Sequence, residues 1–315
     1  PLLSTVSDAK KWTDSLRNQL ARFDVSQPTP LLAGVDVLAY RLERPAVLKL
    51  ALTDSNERGR MIAVIVKVVP PRKAHRFERR LTELQSAIAE SGQSRRLRVP
   101  LVYGIDVSNG MIFMEYVPGQ DLHTMIGTAS DFVVACSAAG ELLSTLHELP
   151  QRDLPRVTAE TEIQQLHGLA ETIIDIRPGV SKCAGRAILD LEKQTKALSD
   201  SDPACLHTDF YDKQVLWSGG RPTLLDFENL ATGDRAKDVG NFLAHLELRS
   251  LQDPDARGIR EGGQGFLHHY DANNVPPQNV QWWKNASTIR LAMLYSLRPK
   301  WRHLAASMIA EMRTT

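Results

Sequence analysis

The chain has 315 residues and a formal net charge of +1, and this length exceeds what one compact core usually fills. Its 43% hydrophobic and 24% charged residues are typical of a globular protein, and the near-neutral total argues against a general nucleic-acid binder. Three separated cysteines fit neither a zinc site nor a disulfide scaffold, and we find neither a signal-peptide pattern nor a run as long as a membrane span. We therefore expect a cytoplasmic protein without membrane or nucleic-acid partners, and the oligomeric state stays open.

The first 117 residues predict a β-rich domain with a leading helix, an antiparallel sheet and one further helix. The leading helix is predicted over 7–23 because Trp12 begins an apolar stripe at helical spacing. Three strand-like runs joined by turns then predict an antiparallel meander, and a helix over 73–90 follows. The predicted strands of this domain are 35–42, 46–53, 61–69, 101–105 and 111–117.

Residues 118–315 predict a larger and mostly helical domain. Pro118 and Gly119 break the strand pattern, so the boundary is expected near 117–120. One short strand pair interrupts the helices. The predicted helices are 131–146, 159–176, 182–198, 237–248 and 279–312, and the predicted strand pair is 215–217 with 223–225. The fold class is therefore α+β, with two lobes.

The strongest chemical signal is a loop that combines two carboxylates with an amide. Residues 206–216 read LHTDFYDKQVL, and residues 224–228 read LLDFE after a short hairpin. Asp209 lies five positions before Gln214, and Asp226 follows the hairpin. Phosphoryl transfer uses these groups, because one carboxylate takes the acceptor's proton while an amide oxygen and a second carboxylate hold metal ions. The pattern therefore favours chemistry on a nucleoside triphosphate.

This pattern resembles the catalytic loop H-x-D-x-x-x-x-N and the following D-F-G of kinase-fold enzymes. It is closer still to the aminoglycoside phosphotransferase and choline kinase group, and the resemblance covers 35–247 in order. The matching segments are DFE at 226–228, GD at 233–234, DVGNF at 238–242, MIFMEYVPG at 111–119 and LHELP at 146–150. The resemblance implies a two-lobed protein-kinase-like fold, with a β-rich N-lobe that binds the nucleotide and a helical C-lobe that carries the catalytic loop and the acceptor site.

The resemblance also implies a role for individual residues in an ATP-dependent or GTP-dependent phosphotransferase. Asp209 would be the catalytic base, and Gln214 and Asp226 would hold Mg²⁺. Lys67 would contact the α- and β-phosphates, and Glu83 would pair with it. The backbone groups that would receive the adenine are those of Glu115, Tyr116 and Val117.

Departures from the family pattern leave a second hypothesis open. Gln214 stands in place of the usual Asn, Glu228 in place of the usual Gly, and the turn at 43–45 is not a glycine-rich loop. These changes motivate a nucleotide-binding pseudokinase that acts as a regulator. A protein kinase is disfavoured because A-P-E is missing after Asp226. The acceptor of a phosphotransferase would be a sugar, an amino-alcohol or an aminoglycoside-like molecule, and the few acidic groups of the last helices disfavour the last of these.

Several residues keep alternative interpretations. Glu78 competes with Glu83 as the partner of Lys67, and Lys49 is the alternative to Lys67 itself. Glu228 could reach a second metal ion. Asp238 is expected to be buried and hydrogen-bonded to amides of the catalytic loop. A basic run is expected to be a solvated loop rather than a phosphate-binding patch, and it consists of Arg95, Arg96 and Arg98.

Overall fold

The structure, a computed structural model, describes residues 31–39, 45–53, 61–93, 96–150, 154–270 and 275–312. Its chain contacts divide these residues into two compact units. The described residues of Pro1–Ser86 and Val99–Pro118 form the first unit, and those of Ala87–Arg98 and Gly119–Thr315 form the second. Residues 87–98, which the sequence placed in the first domain, thus group with the second unit. The helix predicted over 7–23 lies outside the described residues.

The first unit is built on a five-stranded sheet in the order β1-β2-β3-β5-β4. All neighbouring strands are antiparallel, which confirms the predicted meander. Every second residue is buried along β2, and along β3 from Val64 onward, as the period of a strand requires. These residues form one core with side chains of β5. The strands are β1 Leu31–Ala39, β2 Ala46–Thr53, β3 Met61–Val68, β4 Val102–Asp106 and β5 Met111–Glu115.

One helix, α1 (Pro71–Ser91), follows β3. Pro71 suits the first helical position because its fixed φ fits a helix. Proline also lacks an N–H, and an N–H at this position would have no acceptor within the helix. The buried residues recur at helical spacing and include Phe77, Leu81 and Leu84. The helix therefore buries the same face that the sequence pattern predicted.

The turn between β4 and β5 requires glycine at its last position. Gly110 has a φ of +66°, and a Cβ atom there would lie 1.9 Å from the carbonyl oxygen of Val69. The backbone N–H of Val69 also donates to the carbonyl of Gly110 at 2.8 Å. This close approach holds the end of β3 against the turn.

The second unit contains seven described α-helices and two three-stranded sheets, in the orders β10-β9-β6 and β7-β11-β8. The helices are α2 Ala129–His147, α3 Ala159–Thr172, α4 Pro178–Gln194, α5 Ala236–Gln252, α6 Ile259–His269, α7 Pro277–Ser296 and α8 Leu304–Glu311. The strands are β6 Gln120–Asp121, β7 Arg156–Val157, β8 Ala204–Leu206, β9 Val215–Ser218, β10 Arg221–Leu224 and β11 Ala231–Gly233. Within the described ranges, no helix has both the length and the apolar character that crossing a membrane requires.

One helix prediction in this unit was wrong, and one helix was not predicted. The single helix predicted over 279–312 is two helices, because α7 ends at Ser296 and α8 begins at Leu304. Pro299 lies in the connection, and proline lacks the N–H that a continuous helix needs. Helix α6 was not predicted, since three glycines within eleven residues lower its intrinsic helix propensity.

Candidate active site

The loop 207–214 connects β8 to β9 and carries Asp209 and Gln214, while Asp226 follows β10 by two residues. Because β9 and β10 form a hairpin, the residue before β9 and the residues after β10 lie side by side. The N–H of Leu225 donates to the carbonyl of Gln214 at 2.8 Å. The side-chain Nε2 of Gln214 lies 3.3 Å from Oδ2 of Asp226. The structure thus brings the two predicted metal ligands together.

Asp238, at the start of α5, holds the beginning of this loop. Its carboxylate is fully buried and accepts the backbone N–H of His207 at 2.6 Å and that of Thr208 at 2.8 Å. His147 contacts the same carboxylate through Nε2 at 3.1 Å. Burial acts against the charged form of Asp238, but these hydrogen bonds hold its pKa below the ordinary value. The predicted structural role of Asp238 is confirmed.

Thr208, which precedes Asp209, and Asp226 itself have left-handed backbone conformations. The φ of Thr208 is 69° and that of Asp226 is 59°. Such angles are unusual for any residue with a side chain and are least tolerated by a β-branched one such as threonine. Each strained position costs on the order of 1–3 kcal/mol, and such positions cluster at functional sites. The strain therefore marks this loop as the candidate active site.

Asp209 is exposed, yet neighbouring protein atoms displace part of its hydration. This desolvation raises the pKa of its carboxyl above the ordinary value of 3.8, and the negative charges of Asp226 and Asp238 act in the same direction. The positive charge of Arg290 opposes the change. A carboxyl whose pKa is raised is a better proton acceptor once it is ionised, as a general base requires.

A polar network that the sequence analysis missed lies behind the loop. Asn241 donates to the carbonyl of Phe210 at 2.9 Å and accepts Nη2 of Arg290 at 2.7 Å. Arg290 also binds Glu162 at 2.8 Å, and Lys237 binds the second oxygen of that carboxylate. Burial disfavours the ionised form of Glu162, but the two cations hold its pKa below the usual range. The network thus places one guanidinium behind the loop 207–214.

A second buried group is built around Asp212, in the middle of the loop. Arg249 binds both of its oxygens, at 2.7 and 3.1 Å, and Nδ1 of His123 lies 3.0 Å away. Burial acts against the charged form, but these partners hold the pKa of Asp212 below its ordinary value. His245 stacks on Tyr211 with ring centroids 4.3 Å apart, and burial lowers its pKa to about 3. This group ties the loop to α5.

We expect Asp212→Asn to destabilise the protein by about 3–5 kcal/mol, because it leaves the charge of Arg249 buried without its carboxylate. Urea unfolding at pH 7 measures the change. The stability that ionised Asp212 contributes should be fully present above its unfolded pKa of about 3.9. It should be lost as the pH falls through the lower pKa of Asp212 in the folded protein. Asp190→Asn is the matched control, since its pair with Lys193 is exposed, and it should stay within about 0.5 kcal/mol of wild type. Equal stability of the two variants would contradict the prediction.

In the first unit, Lys67 and Lys49 share one face of the sheet. Lys67 lies opposite Val47, and Lys49 lies opposite Ile65, so the two lysines are diagonal neighbours on the half-exposed face. The ammonium of Lys49 lies 4.3 Å from the ring centroid of Tyr116. The sheet therefore places both candidate lysines, together with one of the residues expected to receive the adenine, in the same region of this unit.

The carboxylate of Glu83 has other partners than Lys67 in the described part of the chain. It pairs with Arg80 and Arg79 of its own helix, and Glu78 lies 3.7 Å from His75. Arg80 is buried, so its charge needs the carboxylate. A pair between Lys67 and either glutamate stays a prediction.

The other predicted nucleotide contacts lie at the end of β5. The N–H of Glu115 donates to the carbonyl of Leu101 at 2.8 Å. The N–H of Leu101 in turn donates to the carboxylate of Glu115 at 3.2 Å. Tyr116 is half-buried and Val117 is buried. Their assignment to the adenine stays a prediction.

The donor atoms at Asp226 and Gln214 fit a hard divalent cation. Within the described ranges, no three His, Cys, Asp or Glu side chains form a cluster that could hold a metal ion by themselves. Mg²⁺ does not need such a cluster, because it is usually held by one or two protein oxygens together with substrate phosphates. A carboxylate beside an amide supplies the two protein oxygens.

Comparison with known proteins gives both a family and a fold. A sequence model of the phosphotransferase enzyme family matches residues 29–272, and no curated protein matches the sequence significantly. A thermostable mutant of aminoglycoside phosphotransferase APH(4)-Ia, in a ternary complex with AMP-PNP and hygromycin B, superposes with a TM-score of 0.64 at 13% identity, over 95% of this chain and 97% of that one.

Two further solved structures superpose at similar levels. Amicoumacin kinase hAmiN, in complex with AMP-PNP, Ca²⁺ and Ami, has a TM-score of 0.59 at 16% identity, over 96% of both chains. The complex of gentamicin with APH(2″)-IIa also has a TM-score of 0.59 at 16% identity, over 98% of this chain and 96% of that one. These likenesses confirm the predicted kinase-like fold and the predicted resemblance to aminoglycoside phosphotransferases.

Proposed function

Since the chain belongs to the phosphotransferase enzyme family, we propose that it transfers the γ-phosphoryl group of ATP, or of GTP, to a hydroxyl of a small molecule. The observation that carries the proposal is the contact between Gln214 and Asp226 beside Asp209, on a loop that the buried carboxylate of Asp238 holds in place. Phosphoryl transfer depends on positioning and charge, and a loop held by buried hydrogen bonds supplies both.

In this proposal Asp209 is the catalytic base. Its carboxylate orients the acceptor hydroxyl and takes the proton as the new bond between oxygen and phosphorus forms. The bond from the γ-phosphorus to the β–γ bridging oxygen breaks, and the nucleoside diphosphate leaves. The positive charge of Arg290 favours the ionised form of the base, because it lowers the pKa of the Asp209 carboxyl, which desolvation raises.

Asp226 and the amide oxygen of Gln214 would hold Mg²⁺. When bound, Mg²⁺ neutralises charge on the triphosphate and so supplies electrostatic stabilisation. The hydrogen bond between the two side chains keeps their oxygen-bearing groups adjacent before any cation binds. Glu228, two residues further on, is half-buried and stays a candidate for a second cation.

We assign nucleotide contacts in the first unit to Lys67, with Lys49 as the alternative for the phosphates, and to the backbone of 115–117 for the base. The relatives that were solved with AMP-PNP support ATP as the donor. The relatives act on or bind chemically different small molecules, so the acceptor class stays a sugar, an amino-alcohol or an aminoglycoside-like compound. The comparisons give the pseudokinase alternative no support.

The function is tested by a metabolite screen. The protein is incubated with Mg²⁺, ATP and a cell extract, and new phosphorylated masses are identified by mass spectrometry. Parallel incubations use Asp209→Asn and, separately, GTP. Acceptor-dependent products made by wild type and absent with the variant are expected. Nucleotide binding without any product across a broad extract panel would instead favour a pseudokinase.

The amide at position 214 gives a sharper prediction about metal binding. Gln214→Leu should lower kcat by about 10–100-fold and raise the Mg²⁺ concentration for half-maximal rate, because leucine lacks the amide oxygen that is proposed to bind the metal. Gln214→Asn keeps an amide oxygen and should stay within about fivefold of wild type, since it only shortens the side chain by one methylene. Steady-state rates across a Mg²⁺ titration measure both. Equal losses in the two variants would show that packing, and not the amide oxygen, matters at this buried position.

A further inference from the structure

A cavity of about 760 Å³ in the second unit lies away from the loop 207–214 and its carboxylates. Its size falls in the range of ordinary small-molecule sites. The charged residues of its lining are Arg96, Arg98, Arg221 and Glu141, and Thr145 and Pro222 line it as well. Arg96 and Arg98 belong to the basic run that the sequence predicts to be a solvated loop. In the structure these two residues line a concave surface.

Three separate segments form the walls of this arginine cavity. The segment before β4 supplies Arg96 and Arg98, and the carbonyl of Arg98 accepts the N–H of Leu224 at 2.9 Å, which fastens the segment to β10. Arg221 is the first residue of β10 and follows the glycine turn of the β9–β10 hairpin. Helix α2 supplies Glu141. Tertiary structure therefore brings Arg221 to the cavity that the neighbouring Arg96 and Arg98 also line.

The lining of the cavity holds more basic than acidic residues, with three arginines and one glutamate, Glu141. Arg96 and Arg221 are exposed, and neither makes an ion pair with any residue in the described part of the chain. Like charges held close together repel, so the arrangement favours an anion as an additional component. Arginine suits phosphate in particular, because its planar fork can donate two parallel hydrogen bonds to phosphate oxygens.

We propose that the arginine cavity is a binding site for a small phosphate-bearing polyanion, which Arg96, Arg98 and Arg221 contact together. The site lies at the turn of the β9–β10 hairpin, and Gln214 and Asp226 lie at the opposite end of that hairpin. Four residues per strand separate the two ends by about 13 Å. The ligand of this cavity is therefore distinct from the phosphates of the nucleotide in the proposed reaction.

The test is isothermal titration of the full-length protein with inorganic pyrophosphate, at low salt and with EDTA to remove divalent cations. Wild type should bind one equivalent saturably, and the binding should weaken as salt is added. The double variant Arg96→Gln with Arg221→Gln should bind at least about tenfold more weakly, because charge-assisted hydrogen bonds are the strong ones. Glu141→Gln should bind more tightly, since it removes the opposing carboxylate. A gain in one variant and a loss in the other cannot both come from unfolding.

Two controls make the result specific. Arg186→Gln with Arg302→Gln removes the same charge at two exposed arginines outside the cavity and should leave the affinity within about twofold. Lys67→Gln tests whether the probe binds at the proposed nucleotide contacts, and the affinity should be unchanged. The proposal is overturned if wild type shows no saturable binding at millimolar pyrophosphate, or if the cavity double variant binds as well as wild type. Loss of binding in Lys67→Gln overturns it too.

Discussion

Asp209→Asn is expected to lower kcat by about 10²–10⁴-fold, which is the usual contribution of a general base. The variant keeps the size of the side chain but cannot take the acceptor's proton. The Kd for nucleotide should change by less than about threefold, because the proposed nucleotide contacts lie on other residues. Steady-state kinetics with the acceptor found by the metabolite screen, together with a nucleotide-binding titration, measure the two effects separately.

The pH dependence of the rate gives an independent check of this assignment. A base must be ionised, and the pKa of Asp209 is raised, so kcat/KM should fall as the pH decreases through a value above 3.8. This acid limb should be missing from the residual activity of Asp209→Asn. Asp202→Asn, at an exposed loop position, is the matched control and should keep both the rate and the pH profile. Wild-type turnover in Asp209→Asn would end the assignment of the base.

Asp226→Asn should lower kcat by about 10²–10³-fold, a loss comparable to removing one preorganised group that stabilises charge in a transition state. The physical reason is the proposed cation, which would lose its one carboxylate at this position and keep only neutral amide oxygens. The Mg²⁺ concentration for half-maximal rate should therefore rise strongly. A rate assay over a wide Mg²⁺ range measures both quantities.

The loss in Asp226→Asn needs a test that separates chemistry from folding. Asp226 has a left-handed φ, and asparagine tolerates that conformation as well as aspartate does, so the free energy of unfolding should change little. Urea unfolding of the variant checks this point. If the variant is as stable as wild type and its activity returns at high Mg²⁺, the metal role is supported. Unchanged Mg²⁺ dependence at a reduced rate would contradict it.

Two strands of the first unit could be predicted closely from the sequence because their signal is local, whereas the strand predicted over 35–42 lies at Leu31–Ala39. Runs at 46–53 and 61–69 are apolar and bounded by turn residues, and the structure has strands at Ala46–Thr53 and Met61–Val68. The candidate catalytic loop was equally accessible as a pattern, since Asp209, Gln214 and Asp226 lie within eighteen residues and resemble one family pattern. Local period was sufficient for the two strands, and local spacing together with the family resemblance singled out the loop.

Helix α6 could not be predicted because its stability comes from a neighbour. A Cβ atom on Gly262 would lie 2.7 Å from the ring of Phe132 in α2, and one on Gly265 would lie 2.6 Å from Oγ of Ser137. Glycine therefore permits the two helices to approach closely, and the buried contact outweighs the low propensity of the segment. A sequence read in isolation shows the low propensity but not the partner.

The polar network around Arg290 could not be predicted from the sequence for a related reason. Arg290 lies in α7, eighty-one residues after Asp209, and it reaches the loop through Asn241, while Glu162 of α3 binds the same guanidinium. Asn241 was visible as part of DVGNF at 238–242, but nothing in that motif shows which side chain binds the carbonyl of Phe210. Contacts of this kind depend on how α3, α5 and α7 pack, and no spacing rule encodes them.

The left-handed backbone at Thr208 has a consequence for laboratory evolution. Glycine adopts that conformation without steric cost, so a screen that rewards heat resistance alone should enrich Thr208→Gly. The same exchange would give the backbone more conformational freedom next to Asp209, the proposed catalytic base. Populations selected for survival at high temperature and populations selected for catalytic rate should therefore diverge at this codon.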